Sequence, residues 1–196
     1  MYVDRKEVEL LERKYGPVRR TAIEPVRMLE WEYGLLKSSG RNGRRHDVTM
    51  FIRKSGDSGR YVCIQKHFYK DTGIFRAPSG GVHRGESIER GLKREMLEET
   101  GLEVAIDSFP LITETEFISP DGSERVPWTS YIFTGHDIGG ALNPLDKWEI
   151  SALGLFRREE LTGPIAEIMQ ESGWGGFLYR VKLTEETFSV IGREAE

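Results

Sequence analysis

The chain is 196 residues long and has a single cysteine, Cys63, so it forms no internal disulfide. That thiol lies in the apolar run "YVCIQ", where a buried, inert sulfur is expected. No apolar stretch approaches the ~20 residues that a membrane helix needs. The opening segment "MYVDRKEVELLERKYG" is charged throughout and lacks the apolar core of a signal peptide, so a cytoplasmic protein with no membrane partner is expected. Positive charge is not in excess either: 28 Lys and Arg face 32 Asp and Glu, a net charge of −4. Nothing in that balance draws the whole molecule toward nucleic acid, and none is expected as a partner. Internal repeats and low-complexity tracts are missing as well.

What remains is an ordinary globular balance, 38% hydrophobic and 31% charged, enough for one domain with an appended arm. The arm is placed at residues 1–45 and reads as helix, extended segment, helix. Val8 and Leu11 share a face of the first helix, "YGPVRRTAIEP" is extended, and Pro25 opens a second helix that Gly40 ends. In that helix Val26, Leu29, Tyr33 and Leu36 fall at helical spacing. The domain proper, residues 46–196, begins with a hairpin, "DVTMFIR" and "RYVCIQK" about the turn "KSGDSG". "GIFRAPSGG" reads as a strand running into a glycine loop, and Ser87 to Thr100 as a helix. "LEVAIDSFPLITETEFIS" and "RVPWTSYIFT" form a second hairpin about "PDGS". "HDIGGALNPLDK" is a loop, "WEISALGLF" a strand, and the rest is helical, with "GGFLYRVKLTEETFSVI" as its last element. Strands mixed with a few helices predict an α/β or α+β sandwich.

The helix from Ser87 carries a physical oddity at its end. Glu95, Glu98 and Glu99 stand at i, i+3 and i+4, within an arc of roughly 100°. Like charges at those spacings destabilise a helix by about 0.2–0.5 kcal/mol per pair. Carboxylates in a last turn also oppose the helix dipole, by about 0.3–1 kcal/mol each. A solvated acidic face would tolerate both penalties. The helix wheel argues otherwise, because Ile88, Leu92, Glu95 and Glu99 share one stripe while Glu89, Arg90 and Lys93 lie opposite. Carboxylates on the inward stripe need compensation, which a cation supplies directly. Oxygen ligands without histidine or cysteine nearby favour Mg²⁺ or Mn²⁺ over zinc. Ser87 is placed to cap the helix start and Gly101 to cap its end. Gly80 and Gly81 precede it in a loop whose backbone is able to approach a ligand closely, or which simply turns.

Together these residues resemble the signature of the Nudix hydrolases, G-x5-E-x7-R-E-U-x-E-E-x-G-U with U apolar. Gly80, Glu86, Arg94, Glu95, Met96, Glu98, Glu99, Gly101 and Leu102 satisfy every fixed position. The resemblance implies an α/β/α sandwich around a mixed sheet and a loop–helix–loop that binds Mg²⁺ or Mn²⁺. The implied reaction is hydrolysis of a nucleoside diphosphate linked to a moiety X. Carried over by motif position, Glu98 and Glu99 are the principal, catalytic metal ligands, and Glu95 is a ligand directly or through water. Glu86 assists metal binding or holds the loop, Arg94 orients a glutamate, and the backbone carbonyl of Ser79 ligates metal. Many relatives have glycine at that last position.

Outside the motif, Glu149 in "DKWEI" is the candidate general base, with Glu114 and Glu116 of "TETEF" as rivals. Arg76 is a candidate phosphate contact, the alternative being an edge-strand salt bridge. The cluster from Arg41 to His46 faces an anionic substrate or is a solvated turn. Trp31, Trp128 and Trp148 stack on a base, or pack in the core or at a dimer contact. His67 and His83 stand at no recognisable metal spacing. The arm is similar to those of ADP-ribose and nucleotide-sugar pyrophosphatases, which often complete a homodimer. That resemblance makes a nucleotide sugar or ADP-ribose the first substrate choice and a (d)NTP the second. A nucleotide-sensing module without catalysis is the main alternative class. An isomerase of isopentenyl diphosphate would want a catalytic cysteine, and Cys63 precedes the glycine loop.

Overall fold

The structure, a computed structural model, describes residues 3–40, 43–57 and 59–192. It has three layers, helices on both faces of one mixed sheet, as the α/β/α expectation requires. Asp4 caps α1 (Arg5–Tyr15), which buries Val8 and Leu11. β1 (Arg19–Ala22), β2 (Val26–Arg27) and α2 (Glu30–Ser39) complete the arm. β3 (His46–Arg53), β4 (Arg60–Lys66) and the short β5 (Ser79–Gly80) lead to α3 (Ile88–Thr100). Two long strands follow, β6 (Leu102–Ile118) and β7 (Arg125–Gly140), then β8 (Ile150–Arg157). Three helices close the chain: α4 (Arg158–Thr162), α5 (Pro164–Glu171) and α6 (Gly175–Ile191).

The sheet runs β1-β6-β7-β3-β4-β8, with β2 also on β6 and β5 also on β3. β1 and β2 lie parallel to β6, and β3 parallel to β7; the remaining pairs are antiparallel. Side chains alternate across the sheet. Phe51, Cys63, Leu111 and Ile132 therefore enter the core under α2, α5 and α6. Met50, Val62, Ile112 and Phe133 enter the opposite core, under α1 and α3. β3 is buried along nearly its whole length because both of its faces are covered. Among the described residues no helix is long and apolar enough to cross a membrane.

Four local expectations differ from what forms. The second helix starts at Glu30 rather than Pro25, because Val26 and Arg27 pair with Phe117 and Ile118 on the edge of β6. The first hairpin pairs only beside its turn, at Ile52–Val62 and Arg53–Tyr61, because Arg76 then takes the facing edge at Ile64 and Ser79–Gly80 that of Val48–Thr49, while β4 pairs with β8 along its whole length. Most of "GIFRAPSGG" is irregular, joined to the sheet by one bridge between Arg76 and Ile64 and then by β5. His136–Gly140, expected as loop, extends β7 along Leu102–Ala105. The second hairpin, the β8 strand and the last helix form where the sequence places them.

Candidate active site

α3 is fixed at both ends before any chemistry is considered. The Ser87 side chain accepts from the Arg90 N–H, and Glu7 of α1 accepts from the Ile88 N–H. At the far end Gly101 adopts φ +77°, and a β-carbon there would lie 2.2 Å from the Asn143 carbonyl oxygen and 2.5 Å from that of Ala141. Between these ends the stripe is as the helix wheel places it: Ile88, Leu92 and Met96 are buried, and Glu99 is only 2% exposed.

The glutamates are gathered by Arg94. Its Nε and Nη2 grip both oxygens of Glu86 at 3.0 and 2.9 Å, and Nη1 reaches Glu95 at 2.8 Å and Glu98 at 3.0 Å. Nη2 also donates to the Gly81 carbonyl, tying the glycine loop to the helix. This bidentate grip holds the Glu86 carboxyl down to about 2, well below the usual carboxylate range. Glu95 shifts the other way: burial raises it, and the charges of Glu99 and Glu98 add to the rise against the pull of Arg94. Its carboxylate fills the space beside Gly80, where a β-carbon would lie 1.9 Å from Oε2, and accepts from the Gly81 N–H at 3.1 Å.

Glu99 accepts the Ser79 N–H at 2.7 Å through one oxygen and meets Lys66 Nζ at 2.9 Å through the other. Lys66 bridges in turn to Glu149. The Asp146 side chain accepts from the Trp148 and Glu149 N–H groups, and the Glu149 carbonyl accepts from the His67 N–H, which together fix the loop. Glu149 thereby joins Glu95, Glu99, Ser79, Gly80, Gly81 and Arg76 around a cavity of about 720 Å³. The rivals Glu114 and Glu116 line a separate cavity of about 490 Å³ between the arm and β7.

Arg76 has no carboxylate partner at salt-bridge distance among the described residues; it donates to the Ala77 carbonyl and at 2.7 Å to Ser79 Oγ. Arg180 of α6 donates to the same oxygen at 2.9 Å, to Thr49 Oγ1 at 2.9 Å and to buried Asp47 at 2.6 Å. Behind them hydroxyls run Thr113, Tyr179, Ser130 to Asp47, each near enough to pass a hydrogen bond toward the carboxylate. The serine side chain at position 79 thus anchors two guanidinium groups on the cavity wall, a task glycine could not perform.

Of the basic cluster, Arg41 and Asn42 lie outside the described residues. Arg44 lines the cavity and stacks over Trp128, while Arg45 turns to the carbonyls of Gly40 and Arg44. Trp31 lines the cavity, Trp128 is buried against Phe117, and Trp148 is 95% exposed. His67 contacts the Lys147 carbonyl and His83 approaches Glu86. Lys66, Asp47, Phe68, Trp174 and Arg180 escaped sequence reasoning. They come from β3, β4, the turn after β4, and α6 with its N-cap, and only Asp47 and Lys66 carried a signal, as charges within or closing apolar strands.

Five carboxylates, Glu86, Glu95, Glu98, Glu99 and Glu149, face two cations, Arg94 and Lys66. This oxygen-only set fits a hard divalent cation, and the upward push on Glu95 marks the charge such an ion would relieve. Among the described residues no three acidic, histidine or cysteine side chains already form a metal cage, because Arg94, Lys66 and backbone N–H groups hold the oxygens.

A layered α/β/α fold with an acidic helix end over a basic-walled cavity defines a class of phosphate-handling proteins. A sequence model of the NUDIX domain matches residues 43–173, about two thirds of the chain. The chain belongs to the Nudix hydrolase family, whose members act on nucleotide-derived small molecules and generally use divalent metals. No curated protein matches. Among solved structures, similarity extends to a MutT NUDIX hydrolase from Burkholderia pseudomallei: 24% identity, TM-score 0.45, covering 59% of this chain and 84% of that one. A UDP-X diphosphatase is similar at 14% identity and TM-score 0.46, covering 65% of this chain and 60% of that one. An ADP-ribose pyrophosphatase from Streptococcus suis 89-1591 is similar at 16% identity and TM-score 0.42, covering 59% and 75%.

Proposed function

We propose that this protein hydrolyses the diphosphate linkage of a nucleoside diphosphate joined to X, with ADP-ribose or a nucleotide sugar as substrate and Mg²⁺ or Mn²⁺ as cofactor. The observation that carries this reading is the meeting of Glu95 and Glu99 of the motif with Glu149, Arg76 and Arg180 around one cavity, with Glu86 and Glu98 tied to Glu95 through Arg94. Glu95, Glu98, Glu99 and the Ser79 carbonyl would hold the cation, which supplies positive charge beside the diphosphate and makes water easier to deprotonate. The chain's own residues do the rest. Arg76 and Arg180, pinned through Ser79 Oγ, present guanidinium groups to the phosphate oxygens without having to reorganise. Glu149, half-exposed at the mouth and held by Lys66, takes the proton of the attacking water. Arg94 keeps Glu86, Glu95 and Glu98 in register and locks the loop through Gly81.

The test is metal-dependent phosphate release, coupled to a phosphatase, across ADP-ribose, nucleotide sugars, dinucleotides and (d)NTPs, beside Glu99→Gln and Glu149→Gln. A signal with Mg²⁺ or Mn²⁺ on one diphosphate class, lost in Glu99→Gln, supports the reading. A preference for (d)NTPs would move the substrate to the second choice. Nucleotide binding without hydrolysis would make the protein a sensing module.

A further inference from the structure

One half of the cavity has no part in the chemistry described so far. Its wall comes from α2, from the start of α6 and from Phe68 and Tyr69, and the two helical parts lie outside residues 43–173 that match the family model. The two segments are clasped by Glu32, only 6% exposed, whose carboxylate accepts the N–H groups of Leu29, Gly175 and Gly176. This clasp caps the start of α6 and fixes Trp174 against Trp31, with ring centroids 4.5 Å apart and nearly perpendicular.

The rings there form an ordered row. Phe177 stacks on Trp174 at 4.8 Å and 8°, and Trp174 lies parallel to Phe68 within 11° at 6.2 Å. Phe68 ends the row and is 55% exposed; Trp31 stands edge-on to it at 6.0 Å and is 40% exposed. The row opens into the same cavity as Glu99, Arg76 and Arg180. At that wall Tyr69, only 2% exposed, has Arg76 as its near charged neighbour.

We propose that the row Phe68–Trp174–Phe177, with Trp31 at its edge, is the binding site for the nucleobase of the substrate. This rests on the hydrolase reading above, and it assigns recognition to Phe68 of the common domain together with the two segments outside it. A planar heteroaromatic ring continues the stack on the open side of Phe68. It does not enter between Phe68 and Trp174, since two stacking contacts need about 7 Å and the rings are 6.2 Å apart. Stacking of this kind accepts any base face, so the site selects for a base before it selects among bases. The wall is concave and continuous with the charged end, which suits one ligand spanning both rather than a flat second copy of the chain.

The experiment is calorimetric titration and tryptophan quenching without divalent cation, using AMP, UMP, GMP and CMP, with ribose 5-phosphate as the probe that lacks a base. At least one nucleotide should bind about tenfold or more tighter than ribose 5-phosphate and quench fluorescence. That preference should disappear in Phe68→Ala and Trp31→Ala and return in Phe68→Trp. Circular dichroism and sedimentation accompany each variant. Equal binding of nucleotides and ribose 5-phosphate overturns the proposal, as does a preference untouched by the substitutions in folded protein. A parent dimer that Trp31→Ala turns into a monomer overturns it too, by assigning this face to a second copy. Because no metal or turnover enters, hydrolysis without base preference removes this inference alone, and base binding without hydrolysis removes only the hydrolase reading.

Discussion

The ammonium of Lys66 sits 2.9 Å from Oε1 of Glu99, with the two side chains 10% and 3% exposed. A buried carboxylate at the end of a helix finds its counter-charge here on β4, a strand that sequence spacing does not connect to it. Removing one partner of such a pair costs about 3–5 kcal/mol, because the other is left buried and uncompensated. Lys66→Met should therefore lose stability of that order in metal-free buffer, reduced somewhat because the Ser79 N–H still serves Glu99. A divalent cation beside Glu99 would restore the balance, so MnCl₂ should raise the Tm of Lys66→Met more than that of the parent. Thermal denaturation with and without MnCl₂ reads both effects. Equal shifts in the two proteins would show that no cation takes the place of Lys66 at Glu99.

Two motif glycines should separate function from folding. An alanine at Gly80 would put its β-carbon 1.9 Å from a Glu95 oxygen, which lies at the end of a flexible side chain and moves aside easily. Gly80→Ala should stay within about 1 kcal/mol of the parent in stability. It should nevertheless lose about a hundredfold in turnover, as a displacement of about 1 Å at a positioned group does. An alanine at Gly101 meets backbone oxygens at 2.2 and 2.5 Å in a φ +77° conformation, and backbone does not step aside. Gly101→Ala should cost about 1–3 kcal/mol or more from strain alone. Urea denaturation beside steady-state kinetics distinguishes the two, and a Gly80→Ala enzyme of normal turnover would refute the role given to Glu95.

The acidic helix was legible because everything that shapes it is local: the Ser87 cap, the Gly101 terminator and the stripe from Ile88 to Glu99 all follow from helical spacing. The layer order was legible through the family resemblance and the apolar character of β3 and β6. What surrounds the helix was not. Lys66, Asp47 and Arg180 meet only after three different elements pack together, and a charge at the end of an apolar strand does not announce its partner. Val26–Arg27 reads as helix by spacing and becomes strand because β6 leaves edge groups open beside it. α6 forms as the helix expected, against one local signal. Phe177, Tyr179, Val181 and Leu183 alternate as a strand would, yet form a helix, since the sheet covers one side of it and α4 and α5 another.

Asp47 and Arg180 form the second buried ion pair at the cavity, 2.6 Å apart, with side chains 6% and 17% exposed. Arg180→Met leaves Asp47 with the Ser130 hydroxyl as its remaining donor among these contacts, and should cost about 3–5 kcal/mol. Asp47→Asn in the same background should recover part of that loss, because the uncompensated charge is gone. A double-mutant cycle by urea denaturation should therefore give a coupling above about 1 kcal/mol. Additive losses would mean that the pair is not the source of the stability, and that α6 is held by its apolar face alone.

Acid sensitivity should centre on His46, which is 5% exposed at the start of β3. Burial, helped by the Arg44 charge, pushes its imidazole from 6.5 down to about 4. The unfolded chain binds this proton below 6.5, whereas the folded chain does so only near 4. Stability from this group is therefore complete above about 6.5 and is lost as pH falls from there toward 4, by about 3 kcal/mol in all. Carboxylates such as Glu86, held near 2, add their own loss once the pH falls through the ordinary glutamate range, so the comparison needs a variant that lacks only the imidazole. In His46→Gln the urea midpoint should fall less between pH 7 and 4.5 than in the parent. Parallel curves for the two proteins would place the acid lability elsewhere, in the carboxylates gripped by Arg94.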